Sequence, residues 1–145
     1  SKNDHPVFEN QKFENQLSIA TEIYSSSAQV NMIVFWASWC APCRQEIPAL
    51  KKLAAKYKRN ELNIVSISID DSRKSWLAAV AAEQMSWSQL IIPETGMQKI
   101  KEQFEIGAIP YTLFLDRNGK LITRFIGNDE NTASQYEQVI TTNLK

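Results

Sequence analysis

The amino-acid sequence predicts an α/β domain with a central mixed β-sheet and helices on both of its faces. Residues 32–36 and 62–69 are apolar, β-rich runs of the kind found in strands buried on both sides. Each run is followed by a segment whose apolar residues recur at helical spacing. Near the C-terminus, Asn118-Gly119 lies between two further apolar runs and is a strong signal for a β-hairpin. Strands that alternate with helices and end in a hairpin favour a layered α/β sheet.

Length and composition predict a single domain spanning residues 1–145. Apolar residues make up 43% of the sequence and charged residues 22%, which is ordinary for a globular protein. The 16 basic and 16 acidic side chains cancel, so the charge balance does not point to nucleic acid or an anionic membrane surface. No apolar run approaches the roughly 20 residues that span a bilayer. No secretory leader is recognisable, so we expect a mature or trimmed chain. Residues 1–7 are polar and are expected to form a flexible lead-in.

The first half of the chain predicts two helices on either side of the first core strand. Residues 18–27 carry apolar side chains at helical spacing and predict a short helix. The run at 32–36 is the core strand. Residues 41–58 carry apolar side chains at steps of three and four and predict an amphipathic helix. Pro48 lies inside this helix and is expected to kink it, because proline removes one backbone hydrogen bond.

The second half predicts further strands and helices in alternation. They are, in order, a strand at 62–69, a helix around 76–81, a short strand at 88–92, a short helix at 97–104, strands at 111–115 and 121–126, and a closing helix at 133–144. The complete order is βαβα, a further αβ-like insert, and then ββα. No linker composition separates these segments.

Residues 36–44 carry the only two cysteines of the chain, in the sequence WASWCAPCR. A buried strand followed by a helix places Cys40 at the helix start, where unpaired backbone N–H groups stabilise a thiolate. Two intervening residues allow the thiols to close into a small ring, so Cys43 can attack a mixed disulfide formed by Cys40. Pro42 suits the first turn of a helix, and Arg44 adds positive potential. The pattern indicates redox chemistry at a thiol pair.

Two motifs resemble the thioredoxin superfamily, and specifically its exported TlpA/ResA-type branch. The first is FWASWCAPC followed by RQEIP, at residues 35–48. The second is GAIP at residues 107–110, directly before the strand YTLFLD and its hairpin. The resemblance runs from about residue 32 to the C-terminus and is weakest at residues 72–106. It implies a thioredoxin fold with an αβ insert before the cis-proline strand.

The resemblance also implies roles for individual residues. Cys40 matches the nucleophilic cysteine of the family and Cys43 matches the resolving one. Pro110 matches a cis-proline that faces the two cysteines, and Ile109 would offer its backbone to an extended substrate chain. Trp39 matches the apolar rim beside Cys40.

One position departs from plain thioredoxins, which carry a buried aspartate six residues before the first cysteine. That position is Val34 in this chain. Glu46 instead follows Cys43 by three residues on the same helix face, and it matches the glutamate that the ResA-like branch places near its thiols. We therefore expect Glu46 to be the proton acceptor for Cys43. The alternative for Glu46 is an ordinary solvated helix residue.

Other chemistries fit the cysteine pair less well. A zinc site requires four ligands, and His5 is the only other soft ligand in the sequence, so no metal site is expected. Copper delivery would need a histidine late in the chain, and a peroxidase of the peroxiredoxin kind would need a threonine where Ala37 stands. Asp70 and Asp71 follow a strand and precede a helix, where helix capping explains them better than a catalytic carboxylate pair.

The sequence therefore predicts a thiol–disulfide oxidoreductase that reduces disulfides of exported proteins through a dithiol–disulfide cycle of Cys40 and Cys43. No bound cofactor is expected, since the electrons reside in the thiol pair. The expected partners are protein disulfides and, as the resemblance implies, a membrane-bound thiol donor. Nucleic acid is not expected, and the chain is expected to be a monomer. The resemblance implies a periplasmic or otherwise extracytoplasmic location, with membrane anchoring of a full-length protein left open. A disulfide oxidase or isomerase, and a recognition module of a larger envelope protein, remain as alternatives.

Overall fold

The computed structural model of the chain describes residues 4–145 and contains a seven-stranded sheet in the order β2-β1-β5-β4-β3-β6-β7. The strands are β1 Lys12–Glu14, β2 Ala20–Glu22, β3 Val30–Trp36, β4 Leu62–Ser68, β5 Ser88–Ile91, β6 Tyr111–Leu115 and β7 Leu121–Ile126. The helices are α1 Ala41–Gln45, α2 Ile47–Lys56, α3 Arg73–Glu83, α4 Met97–Phe104 and α5 Thr132–Asn143, with a 3-10 turn at Glu94–Gly96. Strand β3 pairs in parallel with β4 and antiparallel with β6, so the sheet is mixed, as predicted.

Strand β3 lies inside the sheet, and all seven of its residues are buried. Successive side chains of a strand point to opposite faces. Val34 packs in an apolar cluster with residues of α2 and α5. Its neighbour Phe35 packs in a second cluster with Phe104 of α4, with ring centroids 5.4 Å apart. Helices therefore cover both faces of the sheet, which confirms the predicted α/β class.

The helix predicted at residues 41–58 is divided into α1 and α2, with Glu46 between them. Pro48 lies in the first turn of α2, where a proline is tolerated because the N–H it lacks would have no partner there. The predicted kink is confirmed, and the distortion is large enough to divide the segment into two helices. The break places Glu46 at the junction that separates the cysteine motif from the rest of the helical segment.

The short helix predicted at residues 18–27 is wrong, because this segment contains β2, which pairs antiparallel with β1. Asn15 makes the turn between them: its Oδ1 accepts hydrogen bonds from the backbone N–H groups of Leu17 and Ile19 at 2.9 and 3.0 Å. Ile19 is 55% exposed, whereas Ile23 is fully buried in the core. The helical spacing of these apolar residues therefore did not reflect a shared buried face.

The predicted lead-in at residues 1–7 is only partly described, since residues 1–3 lie outside the described part of the chain. Val7 forms an isolated β-bridge with Lys120, at the start of the last hairpin strand. The end of the lead-in is therefore attached to the sheet, which the sequence did not predict. In the same hairpin, Gly119 has φ +82°, a left-handed conformation that favours glycine.

The predicted insert consists of α3, β5, the 3-10 turn and α4, which together connect β4 to β6. The predicted strands and helices at residues 62–144 are present, with ends that differ by a few residues. Within residues 4–145, no helix combines the length and the apolar character needed to cross a bilayer.

Candidate active site

The two cysteines lie at the start of α1, shortly after the end of β3, and they form a disulfide bond. Cys40 is the N-cap residue of α1, and its Sγ accepts a hydrogen bond from the backbone N–H of Cys43 at 3.3 Å. Pro42 occupies the first turn of α1, as expected. Cys40 is 5% exposed and lines a surface groove, whereas Cys43 is 2% exposed and does not line it. Cys40 is therefore the sulfur that an incoming molecule meets first.

The segment that contains Ile109 and Pro110 faces the disulfide, as the resemblance implied. The Ile109–Pro110 peptide bond is cis. The Ile109 carbonyl oxygen lies 3.8 Å from Cys40 Sγ. Pro110 is buried behind Ile109, and its carbonyl oxygen accepts a hydrogen bond from the Gly127 N–H at 2.8 Å. Backbone groups of the segment before β6 thus lie beside the sulfur that opens to the surface.

A groove of about 710 Å³ runs between the cysteine motif and residues 107–109. Trp39 forms part of its rim and is 67% exposed, one of the most exposed large apolar side chains in the described chain. Apolar side chains dominate the remaining wall, and three charged side chains join it. Its lining residues are Trp39, Cys40, Ala41, Pro42, Ile69, Asp71, Glu94, Met97, Lys101, Gly107, Ala108 and Ile109. The groove can accommodate an extended chain across Cys40.

Ser38, two residues before Cys40, is held by Asp70 from the end of β4. One carboxylate oxygen of Asp70 accepts from the Ser38 backbone N–H at 3.0 Å, and the other accepts from the Ser38 hydroxyl at 2.6 Å. The Ser38 carbonyl oxygen accepts from Arg44 at 3.2 Å, and Arg44 also pairs with Glu83 at 2.7 Å. These contacts fix the loop that carries Cys40.

The sequence interpretation of Asp70 and Asp71 as helix caps is wrong. Ser72 caps α3 instead, since its hydroxyl accepts from the Ser75 N–H at 3.1 Å. Asp70 is 3% exposed and holds the active-site loop, while Asp71 is exposed at the groove. A sequence signal for Asp70 did exist, because the carboxyl ends of the parallel neighbours β3 and β4 lie at the same edge of the sheet.

Glu46 is not in the groove but is buried on the inner side of the cysteine motif, where it is 3% exposed. Its Oε2 accepts a hydrogen bond from the Tyr136 hydroxyl at 3.2 Å. No residue in the range 4–145 forms a hydrogen bond to Oε1. Burial raises the pKa of Glu46 from 4.5 to about 7, and the hydrogen bond from Tyr136 opposes part of this rise. A solvated helix residue, the alternative for Glu46, is excluded.

The Glu46 carboxyl reaches the face of the sheet that carries Val34. The Tyr136 hydroxyl, which binds Glu46, also lies 3.1 Å from Thr112 Oγ1. Thr112 is the register partner of Val34, so the two side chains share one face of the sheet. Glu46 thus brings a carboxyl group from the helix side to the neighbourhood of the position where plain thioredoxins carry an aspartate.

The sequence did not identify Tyr136 as a site residue, because it fits an ordinary apolar position of α5. Burial and the charge of Glu46 raise the pKa of Tyr136, so its hydroxyl stays protonated over the physiological range. Only the packing of α5 against β6 brings this hydroxyl to Glu46, 90 residues earlier in the chain. Elsewhere in residues 4–145, no three His, Cys, Asp or Glu side chains form a cluster that could hold a metal ion.

Known proteins similar to this chain are named as thiol-disulfide oxidoreductases or as thioredoxin-like proteins. A family model described as thioredoxin-like matches residues 28–121. The chain is 28% identical over 110 residues to the thiol-disulfide oxidoreductase ResA of Oceanobacillus iheyensis, covering 71% of this chain and 56% of that protein. It is 31% identical over 109 residues to the thioredoxin-like protein YneN of Bacillus subtilis, covering 74% of this chain and 61% of that protein. The chain thus spans little more than half the length of these curated relatives.

Solved structures provide a comparison of the fold itself. The thioredoxin domain of a thiol-disulfide oxidoreductase from Bacteroides vulgatus is similar to this chain with a TM-score of 0.81. The match covers 93% of this chain and 96% of that domain, at 18% sequence identity. At this identity the comparison shows a common fold.

Proposed function

The chain belongs to the thioredoxin-like family, and from this premise we propose that it is a thiol–disulfide oxidoreductase that reduces disulfide bonds of exported proteins. The thioredoxin fold predicted from the sequence is the fold of the chain. The single observation that carries the proposal is the Cys40–Cys43 disulfide, which opens onto a groove through Cys40 alone. The name of the ResA relative, a thiol-disulfide oxidoreductase, supports the same reaction.

The proposed reaction transfers two electrons from the thiol pair to a substrate disulfide. The Cys40 thiolate attacks one substrate sulfur, which forms a mixed disulfide and releases the other substrate sulfur as a thiolate. The Cys43 thiolate then attacks Cys40 Sγ and releases the second substrate sulfur. The substrate is left as a dithiol and the protein as the Cys40–Cys43 disulfide. No bound cofactor takes part, because the electrons reside in the two thiols.

In this cycle the groove beside Cys40 binds the substrate chain. The Ile109 backbone lies beside Cys40 Sγ and is available to pair with an extended peptide, as in β-strand addition. The exposed ring of Trp39 lines the same groove and offers apolar contact to the substrate chain. Pro110 is buried behind Ile109 and acts by supporting that backbone.

Glu46 serves the second step as the proton acceptor for Cys43. Cys43 is almost fully buried, and burial disfavours a thiolate, so this sulfur needs a base. Glu46 lies one helical turn after Cys43, with a pKa of about 7 that suits a base working near neutral pH.

The direction of the reaction and the location of the protein belong to the same proposal. Substrates are protein disulfides, and a membrane-bound thiol donor returns the Cys40–Cys43 disulfide to the dithiol. Both follow from the resemblance to the exported TlpA/ResA-type branch, which also supports a periplasmic or otherwise extracytoplasmic location.

Reduction of insulin tests the proposal, because freed insulin chains precipitate and scatter light. With dithiothreitol as electron source, the wild-type protein is expected to accelerate precipitation over dithiothreitol alone, and Cys40→Ser is expected to remove the acceleration. The reduction potential then tests the direction. A value near the roughly −270 mV of thioredoxin supports a reductase, and a value near roughly −120 mV indicates a disulfide oxidase instead. A wild-type protein that does not accelerate insulin reduction contradicts the proposal.

A further inference from the structure

The carboxyl group of Glu46 is held through one of its two oxygens. Tyr136 donates to Oε2 at 3.2 Å, while Oε1 is buried and receives no hydrogen bond from residues 4–145. A buried acceptor that lacks a partner is costly, and native structures contain few of them. Because Glu46 lies one turn from a buried cysteine, an open carboxylate oxygen is an available proton acceptor.

The hydrogen bonds around Tyr136 have a defined direction. A phenol carries one hydrogen, and Tyr136 directs it at Glu46 whenever the carboxyl is ionised. The Tyr136 hydroxyl also lies 3.1 Å from Thr112 Oγ1, so Thr112 must then be the donor in that pair. Thr112 therefore orients Tyr136, and Tyr136 orients Glu46. The chain of hydrogen bonds ends at Oε2 of Glu46, and Oε1 receives no hydrogen bond from residues 4–145.

We propose that Tyr136 is a positioning residue for the resolution step, which holds Glu46 by Oε2 so that Oε1 is free to take the proton of Cys43. This inference rests on the proposed function. In the step, the S–H bond of Cys43 breaks and its proton moves to Oε1. The resulting thiolate attacks Cys40 Sγ, a new Cys40–Cys43 bond forms, and the substrate sulfur leaves as a thiolate with the electron pair of the broken bond.

Two other charged groups near the cysteine motif are engaged elsewhere. Both carboxylate oxygens of Asp70 accept hydrogen bonds, from Ser38 and from Ser68. Arg44, which follows Cys43, is turned to Glu83 and to the Ser38 carbonyl oxygen. Tyr136 of α5 is the titratable group that contacts Glu46 from another element. On the helical segment of Glu46 itself, Cys43 lies three residues earlier. The neighbouring positions of β3 and β6, at Val34 and Thr112, carry no charge. The proton affinity of Glu46 is therefore set mainly by burial and by Tyr136.

The hydroxyl of Tyr136 keeps Glu46 usable as a base. Burial raises the pKa of the carboxyl, and the hydrogen bond from Tyr136 lowers it, with about 7 as the result. Without this hydrogen bond the carboxyl would hold its proton to a higher pH, and it could not accept a proton from Cys43 in neutral solution. Removing the hydroxyl should therefore move the pH dependence of resolution upward without changing the attack by Cys40.

The test compares Tyr136→Phe with the wild-type protein in two measurements. The first is stopped-flow resolution of a preformed mixed disulfide between Cys40 and a small aromatic thiol, from pH 5 to 9. The second is the titration of the Glu46 side chain by NMR, with ¹³C-labelled glutamate, in the oxidised protein. We expect the midpoint of the pH–rate profile and the midpoint of the Glu46 titration each to rise by about one pH unit. Resolution should then be roughly 10-fold slower at pH 6, because the ionised carboxyl group of Glu46 has lost a hydrogen bond.

The matched control is Tyr57→Phe, because Tyr57 also donates its hydroxyl to a glutamate, Glu137, outside the site. It should change neither midpoint. If Tyr136→Phe folds poorly, Thr112→Val removes only the donor to Tyr136 and should shift both midpoints in the same direction by less.

Three outcomes overturn the inference. One is a Tyr136→Phe protein in which the Glu46 midpoint and the resolution profile match the wild type. Another is a shift of equal size in Tyr57→Phe, which would indicate a general effect of losing a hydroxyl. The third is a wild-type protein that resolves no mixed disulfide at any pH, which overturns the proposed function as well.

Discussion

Replacing Glu46 by glutamine is expected to stabilise the folded protein by an amount that grows as the pH rises from about 4.5 to about 7. Glu46 is 3% exposed and has a single hydrogen-bond donor among the described residues, Tyr136. In the unfolded chain the same carboxyl is solvated and ionises at its ordinary pKa. The folded protein therefore binds this proton more tightly than the unfolded chain does. Glutamine has a similar shape but remains neutral.

The size of the effect follows from the pKa of Glu46, which rises from 4.5 in the absence of the fold to about 7. A rise of about 2.5 pH units corresponds to about 3 kcal/mol, since each unit is worth about 1.4 kcal/mol. The pKa of Glu46 is higher in the folded protein than in the unfolded chain. The wild-type protein therefore has its full stability below about pH 4.5 and loses this contribution as the pH rises through about 7. At pH 8, Glu46→Gln should be more stable than the wild type by about 3 kcal/mol, and at pH 4 the two should be nearly equal.

Urea unfolding of both oxidised proteins at pH 4, 5, 6, 7 and 8 measures this difference directly. Subtracting the wild-type free energy of unfolding from that of the variant cancels the titration of every other group. A half-exposed carboxyl supplies the control: in Glu137→Gln no gain is expected at high pH, because Tyr57 and Lys56 lower the pKa of Glu137. A difference between Glu46→Gln and the wild type that does not change with pH would refute a buried, proton-binding Glu46.

Three further predictions concern the thiols, the loop before them and the groove. In the reduced protein, Cys40 should react with iodoacetamide faster than Cys43, as followed by peptide mass spectrometry; a faster Cys43 would reverse the assigned roles. Asp70→Asn should lower the free energy of unfolding by about 2 kcal/mol, because a buried carboxylate loses charge-assisted hydrogen bonds, and Asp71→Asn should change it by less than about 0.5 kcal/mol. Trp39→Ala should raise KM for a peptide disulfide and leave kcat nearly unchanged; a fall in kcat alone would place Trp39 in the chemical step.

The parts of the fold that depend on local pattern could be predicted from the sequence. Strand β3 was recognisable because a strand buried on both faces is apolar throughout, and the β6–β7 hairpin because Asn-Gly is specific for its turn. The β1–β2 hairpin was missed, since Ile19 and Ile23 are four residues apart, as in a helix. Ile19 is exposed and Ile23 is buried, which only the tertiary structure reveals.

The candidate site was predicted wherever a motif carried it, and missed wherever distant segments meet. Cys40, Cys43 and Glu46 lie within one continuous motif, and Ile109 was named from a second one. Tyr136 had no local signal, because its hydroxyl matters only through packing of α5 against the sheet.

Asp70 was misread for a related reason. Asp70, Asp71 and Ser72 are all residue types that favour the N-cap position, and residue type alone did not show that Ser72, the last of them, caps the helix. The parallel pairing of β3 with β4 brings the Asp70 carboxylate to the loop before Cys40. The contact of Asp70 with the loop before Cys40 therefore depends on the sheet topology and could not be predicted from residue type alone.

Val34 occupies the position where plain thioredoxins carry an aspartate, and in this chain a buried carboxyl group comes instead from Glu46 on another element. A buried carboxyl group near Cys43 can be supplied by strand β3 or by the helical segment that contains Cys43. Here the helix break at Pro48 leaves Glu46 at a junction, from which its side chain reaches the hydroxyl of Tyr136. Helix geometry and sheet packing are thus both required to place the Glu46 carboxyl group beside Tyr136.

The most direct test of the central claim is the covalent trapping of a substrate by the Cys43→Ser protein. After reduction, this variant is mixed with an oxidised protein substrate, and the products are analysed by intact-protein and peptide mass spectrometry. A stable mixed disulfide that joins the substrate to Cys40 is expected, since the resolving thiol is absent. Failure to form an adduct under conditions in which the wild type reduces the same substrate would contradict attack by Cys40 followed by resolution at Cys43.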